Sequence, residues 1–394
     1  VNTVITRKPE FSLDRMDAVK NPLLTNSSVR SILVDRDGLI WLGLGSWGFF
    51  VYNRIAGTYT HNLDMPEFKG LGRLPIVNTI IQSPTSGKIW LGTYDWGIVS
   101  YDKTAPAGQQ VRLFNYDTDY WLTNQCVFSI FEDKDKNTWF GTRNGICVLT
   151  AGDKGVRFDS FKLNGASVNA YAYLSIVQDS QGRIWTGTNN GGIIRISGSP
   201  SQPEEMVFER YSFEDEKLNS ISVLCLFIDS HGRLWAGTEG GGLNLYDPVQ
   251  DRFIPVHKQR NLPGDAIFSI QEDQQGNLWM GTNVGLMKVH IPDDLSNVTY
   301  RLYTTSDGLQ DNIFYRNTAF TDINGEMFFG GYKGYNSFFP DRMMEDESFP
   351  PISITDIKIY NQSWSLLDEK IQKSISEQAP DFTERIRLDY RRNN

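Results

Sequence analysis

Short apolar runs of four to six residues, rich in β-branched and aromatic side chains, alternate with polar turn clusters along most of the chain. Val29-Arg-Ser-Ile-Leu-Val34 and Ile267-Phe-Ser-Ile-Gln271 are examples of one kind of run. Phe49-Phe-Val-Tyr52 and Ile193-Ile-Arg-Ile196 are a second, and Arg112-Leu-Phe-Asn-Tyr116, Phe208-Glu-Arg-Tyr211 and Tyr300-Arg-Leu-Tyr303 a third. Runs this short, bounded by Gly and Asp, predict strands rather than helices.

The runs recur in a fixed order around one marker, an aromatic followed by x-Gly. It returns at Trp41, Trp90, Trp139, Trp185, Trp235, Trp279 and Phe328, with a mean spacing near 48 residues. Five copies continue as W-x-G-T, to Thr93, Thr142, Thr188, Thr238 and Thr282, while Leu44 and Gly331 stand in the first and last. Three residues before the aromatic stands Gly, except for Lys136, and six before it stands Asp, except for Pro84. D-x-x-G suits a hairpin turn, since Asp bonds the turn backbone and Gly takes the left-handed conformation. Each unit thus holds four short strands, and seven such units predict an all-β, seven-bladed β-propeller.

The first strand of each unit should line the narrow axis, where small side chains let seven backbones converge. Counting four residues back from the turn Asp gives Ser31, Ile80, Ser129, Ser175, Cys225, Ser269 and Thr318, small in six of seven. The seventh unit supplies three strands and ends near Phe338-Phe-Pro340. The stretch Val4 to Leu13 has no unit of its own, and as the outermost strand of blade seven it would close the ring and remove an open edge. Residues 1–340 are therefore expected to form the propeller. Beyond Pro350-Pro351, residues 352–360 and 385–390 alternate like strands. Two strands rarely make a domain, so 341–394 reads as a linker and the first strands of an incomplete β-sandwich.

Composition narrows the function classes. The 394 residues are 40% hydrophobic and 22% charged, which suits a globular protein. A net charge of −9 without Lys/Arg clusters argues against direct nucleic-acid binding. No apolar run is long enough to span a bilayer. The chain opens at Val1 without a signal peptide and reads as a mature domain or a piece cut from a longer chain. Cys126, Cys147 and Cys225 have apolar neighbours and no C-x-x-C spacing, which favours buried hydrophobes over reactive thiols. His61, His231, His257 and His290 show no metal spacing, so neither metal nor cofactor is expected.

Candidate chemistry is sparse. Gly237-Thr-Glu-Gly-Gly-Gly242 lacks the Lys-Ser/Thr of a phosphate loop and fits a turn. The recurrent Asp residues are turn-formers before they are catalysts, although the same turn occurs in the aspartate boxes of sialidases. Gly182-Arg-Ile-Trp185 resembles the repeat of streptogramin lyases, whose metal site needs His and Glu. The Asn residues before the inner strands, Asn26, Asn78, Asn124, Asn169 and Asn219, recur and read as turn residues. The turns between second and third strands vary from blade to blade. They carry Trp47, Tyr94, Asp95, Trp96, Arg143, Asn144, Asn189, Asn190, Glu239, Asn283, Tyr332 and Lys333. Aromatic faces mixed with amides and isolated charges suit sugar recognition, so these twelve are the expected ligand-binding residues. Trp47 and Trp96 have packing between blades as an equal alternative.

With W-x-G-T, the D-x-x-G turn and seven units in place, the chain resembles the two-component regulator propeller repeats. These form the periplasmic sensor part of hybrid two-component histidine kinases from glycan-degrading gut Bacteroidetes. The resemblance covers roughly residues 11–340 and is most specific at Thr304-Thr-Ser-Asp-Gly-Leu309, Gly325-Glu-Met-Phe-Phe-Gly-Gly331 and Phe338-Phe-Pro340. Pro350-Pro-Ile-Ser-Ile-Thr355 looks like the opening of that family's tyrosine-rich β-sandwich. The resemblance implies the second of two propellers in a periplasmic sensor of an inner-membrane protein. Such a sensor would bind an oligosaccharide ligand and signal as a homodimer to a histidine kinase that regulates transcription. The membrane would be met only through flanking segments. It also implies that this piece is non-catalytic and that the ligand can lie where propellers or protomers meet. A propeller hydrolase or lyase, or a protein-interaction scaffold, are the alternatives.

Overall fold

Each inner strand carries its small residue opposite the glycine of W-x-G on the second strand, as in Ser31 opposite Gly43 and Ser129 opposite Gly141. This pairing repeats around a ring in a computed structural model that describes residues 11–14, 28–72, 74–158, 161–163, 166–292 and 295–343, with 358–359, 362–363, 366 and 368–375 beyond them. Among these residues seven four-stranded antiparallel sheets follow one another. The inner strands of blades one to seven are Val29–Val34, Val77–Gln82, Val127–Glu132, Ala172–Gln178, Val223–Ile228, Ile267–Glu272 and Phe314–Thr321. The chain divides into two compact units, Val1–Met343 and Met344–Asn394.

The W-x-G signature is explained by the seams between blades. Each aromatic packs against the next blade: Trp41 on Tyr101, Trp90 on Phe140, Trp185 on Tyr246, and Trp279 on Phe338. Trp41, Trp139, Trp185, Trp235 and Trp279 are all at most 1% exposed. The glycine two residues on lets the next inner strand approach: a Cβ on Gly43 would lie 2.8 Å from the Val77 carbonyl oxygen, and one on Gly141 2.6 Å from that of Tyr173. The small inner residues add bonds across the same seams. Ser129 and Thr318 donate to Tyr173 O and Arg30 O, and Ser31 accepts from the Ile80 amide.

The recurrent Asp does more than shape its turn. Its Oδ1 accepts two turn N–H groups, and its Oδ2 accepts the buried indole N–H six residues on, at 2.7–2.8 Å in five blades. A desolvated indole N–H needs such a partner. Blade two corrects the count made from sequence. Its turn is one residue longer, so Ser83 stands in the Asp position, pairing with Lys88 O and Gly87 N as Asp35 does with Leu39 O and Gly38 N. Thr79, opposite Gly92, is therefore the hub residue in place of Ile80, which packs in the seam. The hub residue is small in all seven blades.

Lys136, the exception to the turn Gly, is exposed and held at φ 67°, where the glycines of the other turns lie between 76° and 82°. A side chain in this region costs about 1 kcal/mol. Lys136→Gly is accordingly expected to stabilise the protein by about 0.5–1 kcal/mol, seen as a higher urea midpoint. An unchanged or lower midpoint would show that the lysine is unstrained there.

The ring closes as expected. Ser12–Asp14 pairs antiparallel with Gly334–Phe338, matching Ser12 to Ser337 and Asp14 to Tyr335, as the fourth strand of blade seven. Phe11 is buried between Tyr303 and Phe338, with centroids 5.0 and 4.9 Å away. Residues 4–10 of the expected closing stretch lie outside the described residues. In the second unit Lys358–Ile359 pairs with Gln362–Ser363, and a helix covers Glu369–Ile375. The rest of the run 352–360, and all of 385–390, lie outside the described residues. No helix among the described residues is long and apolar enough to cross a membrane.

Candidate functional site

The second-to-third strand turns are built from backbone and threonine, which leaves most of their side chains for other work. In five blades the Thr of W-x-G-T donates to the carbonyl of the glycine that ends the turn, at 2.7–2.9 Å. The backbone then ties each turn to two inner strands. Tyr94 N–H donates to Ile76 O in its own blade, and Gly97 N–H to Gln125 O before the next. Arg143 with Cys126, and Gly145 with Tyr171, repeat the arrangement. Gly237–Gly242 is the same turn in blade five, as its composition suggested: Thr238 ends one strand and Gly242 begins the next.

Four neighbouring blades concentrate aromatic rings and guanidinium groups beside this rim. In six blades the inner strand has a one-residue bulge, as between Val29 and Ser31. In blade seven the irregularity runs from Phe314 to Ala319 and pushes Tyr315, Arg316 and Asn317 toward the hub. Asn317, at φ 52°, donates from Nδ2 to Leu174 O of blade four at 2.6 Å. Arg316 lies over the Phe128 ring, 4.7 Å from its centroid. Arg30 lies over Tyr315 at 4.6 Å, and Tyr315 meets Tyr332 edge-on at 5.7 Å. Arg143 covers Tyr94 at 4.8 Å and donates to its hydroxyl. Within the hub is a cavity of about 280 Å³ lined by Ser31, Thr79, Ser129, Ser175 and Asn317.

Of the twelve residues expected on the rim, Tyr94, Arg143 and Tyr332 join this cluster. Trp96 instead packs onto the apolar seam of blades one and two. Trp47 is 36% exposed at φ 72°, and its carbonyl accepts from His61 Nε2 at 2.6 Å. Lys333 pairs with Asp311 at 2.9 Å. Asn283 bonds Asp265 and Asn144 accepts from Asn124, each tying a turn to its own blade's lead-in, while Asn189 accepts from Ser222 in the lead-in of the next blade. Asp95, Asn190 and Glu239 are exposed. Of the lead-in asparagines, Asn124 accepts from the Cys126 amide and Asn219 donates to Gly241 O, which are turn roles. Asn26 lies outside the described residues.

A family model for the two-component regulator propeller matches residues 23–45, 122–144, 167–190, 217–240 and 261–284, which carry the inner and second strands of blades one, three, four, five and six. Five of its seven blades are two-component regulator propeller repeats. The chain is 27% identical to Histidine kinase P4 of Formosa agariphila over 71% of this chain and 21% of that protein. Two solved extracellular domains from proposed hybrid two-component systems of B. thetaiotaomicron share the fold of this regulator propeller. That of BT3049 has a TM-score of 0.68 and 24% identity over 90% of this chain and 44% of its own. That of BT4673 has a TM-score of 0.59 and 21% identity over 84% and 40%. A streptogramin B lyase also shares the propeller fold, at 15% identity, TM-score 0.55, over 79% of this chain and 93% of its own. The chain thus spans about a fifth of the kinase and less than half of each two-component domain.

Arg30, Tyr315, Arg316 and Asn317 of this regulator propeller were not found by reading its turns. Their signal is a spacing: one residue lies between Val29 and Ser31, but three lie between Phe314 and Thr318. The three cysteines are buried and free. Burial pushes the Cys126 thiol up to about 11 and Cys225 up to about 12, so both stay protonated at neutral pH. Asp229, His231 and Glu272 offer ligand atoms within 4.8 Å of one another on first-to-second strand turns. The Asp229 oxygens are already held by Trp235, Arg233 and two turn amides. What the mouth cluster offers is recognition: ring faces, planar cation faces and hydrogen-bond donors on a rigid frame.

Proposed function

We propose that this chain is the ligand-sensing module of a hybrid two-component histidine kinase, placed in the periplasm, and that it recognises an oligosaccharide released from a polysaccharide. The observation that carries the reading is the mouth cluster of Tyr94, Arg143, Tyr315, Arg316 and Tyr332. Aromatic faces stack on sugar C–H surfaces, and guanidinium donors bond hydroxyl or acidic oxygens. The regulator repeats and the kinase relative support the sensor part of the reading. Binding would reach the kinase, and through it transcription, by favouring one arrangement of a homodimer, for which a differential affinity of a few kcal/mol suffices. The module itself is non-catalytic in this reading. Its histidines lie apart, with His61 and His257 bonded to backbone carbonyls and His290 to Asn277.

Calorimetric titration with a panel of oligosaccharides, followed by product analysis, tests this. Binding heat with intact sugar is the expected outcome, and chain cleavage would overturn the sensor in favour of a hydrolase or lyase. Arg143→Ala is expected to weaken binding about tenfold, the effect of losing about 1.4 kcal/mol. An unchanged Kd would place the ligand away from the mouth.

A further inference from the structure

Six of the described arginines are paired with acids: Arg54 with Glu326, Arg183 with Asp179, Arg195 with Glu209 and Asp251, Arg210 with Glu214 and Arg233 with Asp229, with closest distances of 2.5–2.8 Å, and Arg112 more loosely with Asp119 at 3.9 Å. Arg30, Arg143 and Arg316 are different. Among the described residues none of the three has a carboxylate partner. Arg30 bonds the amide oxygen of Asn78 at 3.3 Å, and its Nε is buried with no hydrogen-bond partner. Arg143 donates to a phenol, and Arg316 rests on a phenyl ring. Burial, with Arg30 adding to it, pulls the Arg316 guanidinium below its ordinary value. Neighbouring acids do not relieve this: Asp311 is taken by Lys333, and Asp95 forms no ion pair with any of the three.

A partly desolvated cation without a counter-charge is unfavourable for folding. Two such cations, Arg30 and Arg316, with the exposed Arg143 beside them, in a chain of net charge −9, make a place where an anion is stabilised. Stacking leaves the in-plane N–H groups of a guanidinium free for a bidentate acceptor. We infer that the mouth takes the acidic group of its ligand, an oligosaccharide bearing a carboxylate or sulfate held among Arg30, Arg143 and Arg316. This rests on the oligosaccharide-sensing reading and names the chemical class it selects.

The test is calorimetry on the whole 394-residue chain with three kinds of probe: oligogalacturonides, their carboxyl-reduced counterparts, and sulfated oligosaccharides with desulfated controls. At least one acidic member is expected to bind tenfold or more tightly than its neutral counterpart. Its Kd should rise several-fold between low and moderate salt, as pairing of exposed charges is screened. Whether the carboxylate or the sulfate series shows the preference assigns the acid. Arg143→Gln, on an exposed turn, and Arg316→Gln are each expected to erase most of the preference while the melting temperature of Arg143→Gln stays unchanged. Equal affinity for acidic and neutral members, or a preference that survives both substitutions, overturns the inference and leaves oligosaccharide sensing in place. Absence of binding by every oligosaccharide overturns the sensing reading as well.

Discussion

Replacing Asp133 with alanine is expected to remove about 3–4 kcal/mol of stability, far more than a typical surface substitution. The carboxylate is buried and accepts from the amides of Asp135 and Asn137, the Asn137 side chain, and the Trp139 indole at 2.8 Å. Alanine leaves the three buried donors, the Asn137 amide and side chain and the Trp139 indole, without that partner, and each orphaned donor costs more than the net worth of its bond. Urea denaturation should show a lower midpoint with little change in slope. A double-mutant cycle with Trp139→Phe isolates the indole part, for which coupling of about 1–2 kcal/mol is expected. Blade seven already has the phenyl version: Phe328 needs no acceptor, and Asp322 there bonds only turn amides and Asn324. A loss under 1 kcal/mol for Asp133→Ala would mean that the indole finds water instead.

Phe11→Ala should cost a similar amount, about 3–4 kcal/mol, by opening a cavity in the last seam. The ring sits edge-on against both Tyr303 and Phe338 at 2% exposure. It anchors the three-residue strand Ser12–Asp14 that pairs with the outer edge of blade seven. Deleting residues 1–14 would bare the outer edge of Gly334–Phe338, which stays paired with Met327–Gly331 on its inner side, and a bare edge invites pairing with a second chain. Light scattering on the truncated protein should therefore show dimers or larger species. A monomer with an unaltered melting temperature would show that closure does not depend on this latch.

The repeat made the architecture legible because its residues serve geometry that every blade shares. An aromatic ring must fill each seam, a Gly must let the next strand approach, and in five blades an Asp must accept the indole, so nearly the same letters return about every 48 residues. Counting failed where a loop changed length. The extra residue between Ser83 and Gly87 moved the apparent hub position from Thr79 to Ile80, although the hydrogen bonds match those at Asp35. The site was half legible for the same reason. Tyr94, Arg143 and Tyr332 stood out as breaks in the repeat. Arg30 and Arg316 lie inside strands, where the pattern carries only the longer spacing from Phe314 to Thr318 as a trace of the irregularity. Trp96 could not be sorted from Tyr94 by sequence, because both occupy one turn and only the path of that turn decides which ring faces the seam.

The rim turns are held by main-chain amides and by a threonine that belongs to the strand before them. Folding and selectivity are thereby written in separate alphabets. Two or three letters per turn can be exchanged without asking the strands beneath to readjust, so transplanting turns between such propellers becomes a direct route to changing what the rim presents.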